Sequence, residues 1–343
     1  MRPLYWQLPA FVLACCLAVE FTFRLYALGS LALSPSAMNS LTTILESGLV
    51  EPAADLETYY QLKPNIDAMH GGARLTTNSE GLADREYSRV KPPGVYRVAV
   101  IGSSWTMPTG VEHQQAWHAL LEDRLNALPD GPRYEFINFG VEYYGLEEIA
   151  GTLKNRVLAY QPDMVIAGLT TLTAYIVREP HPEPFVAPPK RYPFFESFAL
   201  RALDGQLELG LFPNRRRPTL GIDSARHRQQ TTEFIREIHA VTAERGIRLG
   251  IVWLGFQPLF RLYKAAVVDT TAELGIPLAL GYEPITVVSK QPVWGEGFAD
   301  DRYRAGRFGE HANAAGHALI AEQVAEVMFP AVAKSVAETA SID

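Results

Sequence analysis

Cysteine is almost missing from this chain. The two it has, Cys15 and Cys16, are adjacent and lie in the N-terminal apolar stretch. The body of the protein therefore has no disulfide and no cysteine-held metal. An excess of positive charge is missing too. Lys and Arg total 31 against 38 Asp and Glu, a formal charge of -7. A nucleic-acid partner demands a basic face that this balance does not supply. No glycine-rich phosphate loop, H-E-x-x-H or C-x-x-C is present, so the sequence calls for no cofactor and no metal. Neither an internal repeat nor a low-complexity tract is visible. What is left is a globular composition of 343 residues, 48% hydrophobic and 20% charged, enough for one large α/β domain or two small ones.

One long hydrophobic run stands out. Leu8 to Phe23 is apolar except for Glu20, and extended from Leu4 to Leu28 it reaches the roughly 20 residues that a membrane-spanning helix needs. Arg2 and the amino terminus favour a cytoplasmic start, with the remainder outside the cytoplasm. Glu20 and Arg24 are four apart and can pair on one helix face near the outer interface. A cleaved signal peptide is the alternative, but Ala27-Leu28-Gly29 is a poor cleavage site. A lipobox ending at Cys15 fails because apolar residues follow it. Residues 1–29 are therefore read as an uncleaved anchor.

Residues 30–95 form a lead-in of mixed composition, expected to be an extended segment packed across a sheet edge. It carries turn chemistry at Tyr60 to Asn65 and at Thr77 to Leu82, and a linker at Lys91 to Gly94. Then the pattern becomes regular. Strands are predicted over 96–102, 134–139, 163–169, 249–254 and 277–280. Helices are predicted from about Glu112 to Pro129, then over 146–160, 231–245, 260–274 and 313–327. Continuous apolar strands alternating with amphipathic helices imply a parallel sheet covered on both faces. Residues 178–223 interrupt the alternation with seven prolines between Pro180 and Pro213 and with Arg215-Arg216-Arg217. They are read as a lid or insertion.

The chain's focus is Tyr96 to Val111. A buried strand ends at Gly102, and Ser103 and Ser104 follow, where open α/β sheets keep their ligands. Gly102-Ser103-Ser104-Trp105-Thr106, then Pro108, Gly110 and Val111, resembles the first motif of the SGNH (GDSL-type) hydrolases, G-D-S-x-T-x-G-x-G-V. Phe308-Gly-Glu-His-Ala-Asn-Ala-Ala-Gly-His317 resembles their last motif, D-x-x-H-P-N-x-x-G-H. An apolar span ending in E-x-x-x-R and the lead-in Asn78, Ser79, Gly81, Ala83, Asp84 are similar to the membrane-anchored bacterial members.

The resemblance implies a three-layer α/β/α flavodoxin-like domain over residues 96–335, with Ser104 as nucleophile and His311 as its base. His317, inside the following helix, is read as a packing residue. The second motif, in Asn138 to Gly145, puts Tyr143 where the family has the oxyanion-hole glycine, with Gly140 or Gly145 as alternative amide donors. The third puts Leu172 where the family has asparagine, leaving Thr170, Thr171 or Thr173 as substitutes. Ser103 and Phe308 stand at the positions of acids, and Pro108 at that of a glycine. The expected function is an esterase or acyl transferase using Ser104 and His311 on an acylated small molecule or cell-envelope polysaccharide. The rival is a catalytically silent domain of the same fold that binds glycan or a partner.

Overall fold

The computed structural model describes residues 7–129, 131–170, 173, 180–207, 224–254, 257–281 and 311–330. An apolar helix, α1 (Gln7–Leu28), leads into α2 (Pro35–Ser40), where Ser34 Oγ caps the first turn by accepting from Ala37 N at 3.3 Å. Two antiparallel hairpins follow. β1 (Val50–Pro52) pairs with β2 (Tyr60–Leu62), and β3 (Asp67–His70) with β4 (Ala73–Thr76). The second turns on Gly71 and Gly72 at φ +60° and +87°, the left-handed pair that suits a two-residue hairpin. The lead-in is thus folded on itself where an extended segment was expected.

The central sheet comprises β5 (Val95–Gly102), β6 (Arg133–Asn138), β7 (Met164–Leu169), β8 (Arg248–Trp253) and β9 (Leu278–Ala279). All neighbouring pairs are parallel, in the order β6-β5-β7-β8-β9. Counted within the sheet this is 2-1-3-4-5, the flavodoxin-like doubly wound order, whose switch point lies between the first and third strands. Alternate residues serve opposite faces, as the strand period dictates. Ala99, Ile101, Val165, Ala167 and Ile251 pack under α4 (Leu146–Asn155), α6 (Ser224–Ala243) and α7 (Gln257–Glu273). Val98, Val100, Phe136, Met164 and Ile166 pack under α3 (Trp117–Asn126) and α8 (Ala314–Met328). The result is three layers, with hairpin residues Tyr60 and Leu62 joining the first face.

Three helix boundaries differ from expectation, and one of them is the start of α6, at Ser224 where residue 231 was expected. The chain from Glu112 makes a separate 3₁₀ turn, His113–Gln115, before α3 begins at Trp117. α4 stops at Asn155, and Val157–Tyr160 is 3₁₀. There the chain must reverse into β7, with Gln161 left-handed at φ +53° and Pro162 next, which disfavours a helical residue before it. Beyond the hairpins, two residues of the lead-in bond to the outer side of edge strand β6. Asp84 Oδ2 accepts from Asn138 N at 2.9 Å, and the Tyr87 hydroxyl donates to Phe136 O at 2.7 Å. Outward backbone groups of edge strand β6 are thereby satisfied without inviting another strand.

The described part of the insertion, 180–207, runs along the lead-in to the end of α1. His181 stacks on Tyr59 with ring centroids 3.6 Å apart and sits 2.5 Å from Glu148 Oε1. Phe185 packs on Tyr59 and Tyr60, Phe194 N donates to Asn39 Oδ1 at 2.9 Å, and α5 (Phe198–Leu207) closes the segment. Its arginine run, Arg215 to Arg217, lies outside the described residues.

Candidate active site

Ser104 lies in the turn that leaves the carboxyl end of β5, at the switch point of the sheet, and is 7% exposed. The turn is wound tightly, with Ser103 O accepting from both Thr106 N and Met107 N at 2.9 Å and Ser104 O from Thr109 N at 3.1 Å. It sinks onto the strand ends because three glycines leave room for Thr106. A Cβ on Gly102 would lie 2.3 Å from Thr106 Oγ1, one on Gly168 2.4 Å from the same atom, and one on Gly140 2.7 Å from Thr106 Cβ. Glycine is therefore required by close approach at the ends of β5 and β7 and just beyond β6. Ser103, at the family's acid position, keeps its hydroxyl buried without a hydrogen-bond partner.

His311 reaches this turn from the other end of the sequence. Asn313 caps α8, its Oδ1 accepting from Gly316 N at 3.0 Å, and so fixes the approach of the two residues before it. The His311 ring packs against that of Trp105, the neighbour of Ser104, at 6.0 Å between centroids. Burial pushes its pKa down to about 4, with His70 adding to that and Glu142 opposing it. Among the described residues His311 Nδ1 has no hydrogen-bond partner. His317 is buried on α8 and its Nδ1 accepts from Trp117 N at 3.2 Å. Burial, helped by His311, pushes its pKa down to about 3.

The turn after β6 is pinned from the lead-in. The Tyr60 hydroxyl donates to Glu142 O at 2.9 Å, and that of Tyr144 to Tyr60 O. Between them Tyr143 stands at φ +71°, the left-handed region that costs a side-chain-bearing residue roughly 1–2 kcal/mol. The backbone thus keeps a glycine-like conformation where the family has glycine, although the residue is tyrosine. The alternative donors are committed elsewhere: Gly140 N to Asn138 Oδ1 at 2.9 Å, and Gly145 N to Glu148 Oε2 at 2.8 Å. That removes both from the donor set.

Thr170, at the end of β7, is engaged with Thr173. Thr170 N donates to Thr173 Oγ1 at 2.9 Å, and Thr173 N to Thr170 Oγ1 at 3.1 Å. Thr171, Leu172, Asp300, Asp301, Phe308 and Glu310 lie outside the described residues.

Two further residues enter the site unforeseen. His70, ending β3, places Nε2 2.6 Å from Glu142 Oε2, both side chains buried, with His70 Nδ1 lacking a hydrogen-bond partner. Both act electrostatically on His311, so the site holds two imidazoles and one carboxylate beside the serine turn. The usable signal for His70 was His70-Gly71-Gly72-Ala73, a hairpin signature in the lead-in. Glu142 had none, since its neighbour Tyr143 claimed the motif.

No protein-family model matches the chain, and no curated protein matches it. Solved structures do resemble it. A G-D-S-L family lipolytic protein from Veillonella parvula DSM 2008 is 14% identical, with a TM-score of 0.43, covering 68% of this chain and 98% of its own. The psychrotrophic esterase EstA from Pseudoalteromonas sp. is 11% identical, with a TM-score of 0.42 and coverages of 69% and 98%. The acetylxylan esterase Axe2 of Geobacillus stearothermophilus, as a catalytic mutant, is 13% identical, with a TM-score of 0.41 and coverages of 67% and 93%. At such identities and scores the likeness transfers neither activity nor site residues to this chain.

Proposed function

We propose that the protein is a membrane-anchored serine esterase or acyl transferase acting on an acylated cell-envelope substrate. The observation that supports this reading is the packing of His311 beside the turn that carries Ser104. They are 207 residues apart in the chain, yet His311 packs against Trp105 at the switch point of the sheet. A serine nucleophile needs a base within reach, and hydrogen bonds that are loose before substrate binds tighten afterwards. Ser104 Oγ attacks the ester carbonyl while His311 takes its proton. The tetrahedral oxyanion is met by the Ser104 and Tyr143 amides, and collapse expels the alcohol with that proton. The acyl-enzyme then passes its acyl group to water or to a second hydroxyl. Burial favours the neutral form of His311, which is the form a base requires. Helix α1 is long and apolar enough to cross a membrane, and none of residues 7–26 is fully buried in the fold. Arg2 at its start favours a site outside the cytoplasm, where acylated polysaccharides and small acylated molecules are met.

A silent binding domain is the second reading. Among the described residues none partners Nδ1 of His311, which favours it, since an unoriented imidazole is a weak base. The full chain in detergent micelles, given a small activated acetyl ester and a serine-directed phosphonate, separates the two. Turnover and labelling should both vanish in Ser104→Ala and fall sharply in His311→Ala. A parent protein that is neither labelled nor active would sink the enzyme and leave the binding domain.

A further inference from the structure

Glu20 and Arg24 do more than pair with each other. The Glu20 carboxylate accepts from Phe198 N at 2.9 Å, Ala199 N at 3.1 Å and Ser197 Oγ at 2.7 Å, so a side chain of α1 caps the amino end of α5. Arg24 pairs with Glu20 at 2.5 Å and donates to Glu196 O at 2.8 Å. Its guanidinium lies 5.6 Å from the ring centroids of both Phe194 and Phe198. A small apolar cluster of Leu28, Ala32 and Met38, with Phe194 and Phe198 against it, seals the junction. The insertion is therefore hung on the last two turns of α1.

That junction lies at a defined depth. A hydrocarbon core of roughly 30 Å takes about 20 helical residues at ~1.5 Å each. Counted back from Arg24, this reaches Leu4, where the apolar run begins. Glu20 and Arg24 then sit at the outer boundary, and α5 begins beside them. Its described side chains are the reverse of what water favours. Leu200 and Leu203, three apart, are 50% and 46% exposed, while Asp204 is buried. Just before the helix Phe195 is 81% exposed, and Tyr192, with Lys190 Nζ 5.3 Å over its ring, is exposed as well. Acid inward, leucines outward, and an aromatic and basic approach make the pattern of a helix lying in a bilayer interface.

We infer that residues 190–207 form a collar on the lipid bilayer, their Phe195, Leu200 and Leu203 side chains seated at the boundary between headgroups and acyl chains beside α1. The occupant of this face is lipid, because α5 is held through Glu20 to α1, whose Leu17, Phe21 and Leu25 are exposed as well. The inference rests on α1 spanning the membrane, and the experiment keeps the two apart. Full-length protein with Cys15 and Cys16 replaced by alanine carries a nitroxide at one of four positions: Leu13→Cys, Phe195→Cys, Leu203→Cys or Val90→Cys. It is reconstituted in vesicles of phosphatidylcholine and phosphatidylglycerol. Collisions with oxygen, which concentrates in lipid, are compared with those of a nickel chelate, which stays in water. Val90, apolar and 71% exposed on the lead-in, is the aqueous reference. Labels at 195 and 203 should favour oxygen as the label at 13 does. A lipid signature at 13 with an aqueous one at 195 and 203 overturns the collar and leaves the anchor. An aqueous signature at 13 removes the anchor and the collar with it. Shielding of 195 and 203 from both reagents overturns it differently, showing the face covered by protein, with dipolar broadening marking a second copy.

Discussion

Acid should loosen this protein through imidazoles that it buries. Burial pushes the His311 pKa down to about 4 and that of His317 to about 3, and pushes that of His118 down as well. An unfolded chain protonates histidine near pH ~6.5. Between that pH and the folded values the unfolded state binds more protons, so stability is complete above about 6.5 and falls as the pH falls. Each such histidine costs about 1.4 kcal/mol per pH unit inside its window. Asp84 works the other way. Burial raises its pKa to about 6 against His113 and hydrogen bonds that lower it, so the folded state holds a proton that an unfolded aspartate releases near pH ~4. Its contribution is most favourable in acid and is lost as the pH rises to 6. From pH 6 to 4, His311 and His317 lose about 2.8 kcal/mol per unit and Asp84 returns about 1.4. The difference is on the order of 3 kcal/mol over the interval, roughly a fifth to three-fifths of the ~5–15 kcal/mol that a domain has. Urea midpoints followed by tryptophan fluorescence at pH 7, 6 and 5, on the full chain in micelles, measure it. His317→Asn, which keeps an acceptor for Trp117 N, should flatten the fall, and Asp84→Asn should steepen it. Equal midpoints for the parent at pH 7 and 5, or a slope indifferent to Asp84→Asn, would refute the reasoning.

Two substitution pairs probe the backbone of the site. Tyr143→Gly and Tyr143→Ala lose the same packing to within a methyl group but differ in tolerance of φ +71°, so thermal unfolding should find the glycine variant more stable by about 1 kcal/mol. If alanine equals or exceeds glycine, the left-handed conformation at 143 is wrong. Gly168→Ala drives a Cβ to 2.4 Å from Thr106 Oγ1 and should cost about 1–3 kcal/mol by overpacking. Adding Thr106→Ala should recover most of that loss, and no recovery would place the clash elsewhere.

Much of this architecture was readable because short-range chemistry and long-range packing agree. Val98, Val100 and Ile101 before Gly102 make a buried strand whatever surrounds them, and Asn313 announces the start of α8. Ser104 and His311 were legible as motif positions. Harder to read were features that depend on what the chain meets in space. A lone histidine at the end of a four-residue strand carries no periodicity, so nothing in the sequence sends His70 to Glu142, 72 residues away. Glu20 was readable as an i,i+4 partner of Arg24. That its carboxylate also caps a helix 178 residues later follows only from how the insertion returns. Tyr143 shows the limit from the other side: a residue with a side chain holds a glycine's backbone geometry because Tyr60 and Tyr144 lock the turn around it.

The position of α8 in the sheet sandwich has a consequence for timing. Ile320, Ala321, Val324 and Met328 roof the face made by Val98, Val100, Met164 and Val252, which stays uncovered until that helix exists. A ribosome adding roughly 5–20 residues per second needs on the order of ten to forty seconds to pass from Ser104 to His311. Throughout that interval the strand before Ser104 is made but His311 is not, and one side of the nascent sheet is apolar and open. The chain is born sticky, and that condition ends when its last described helix docks.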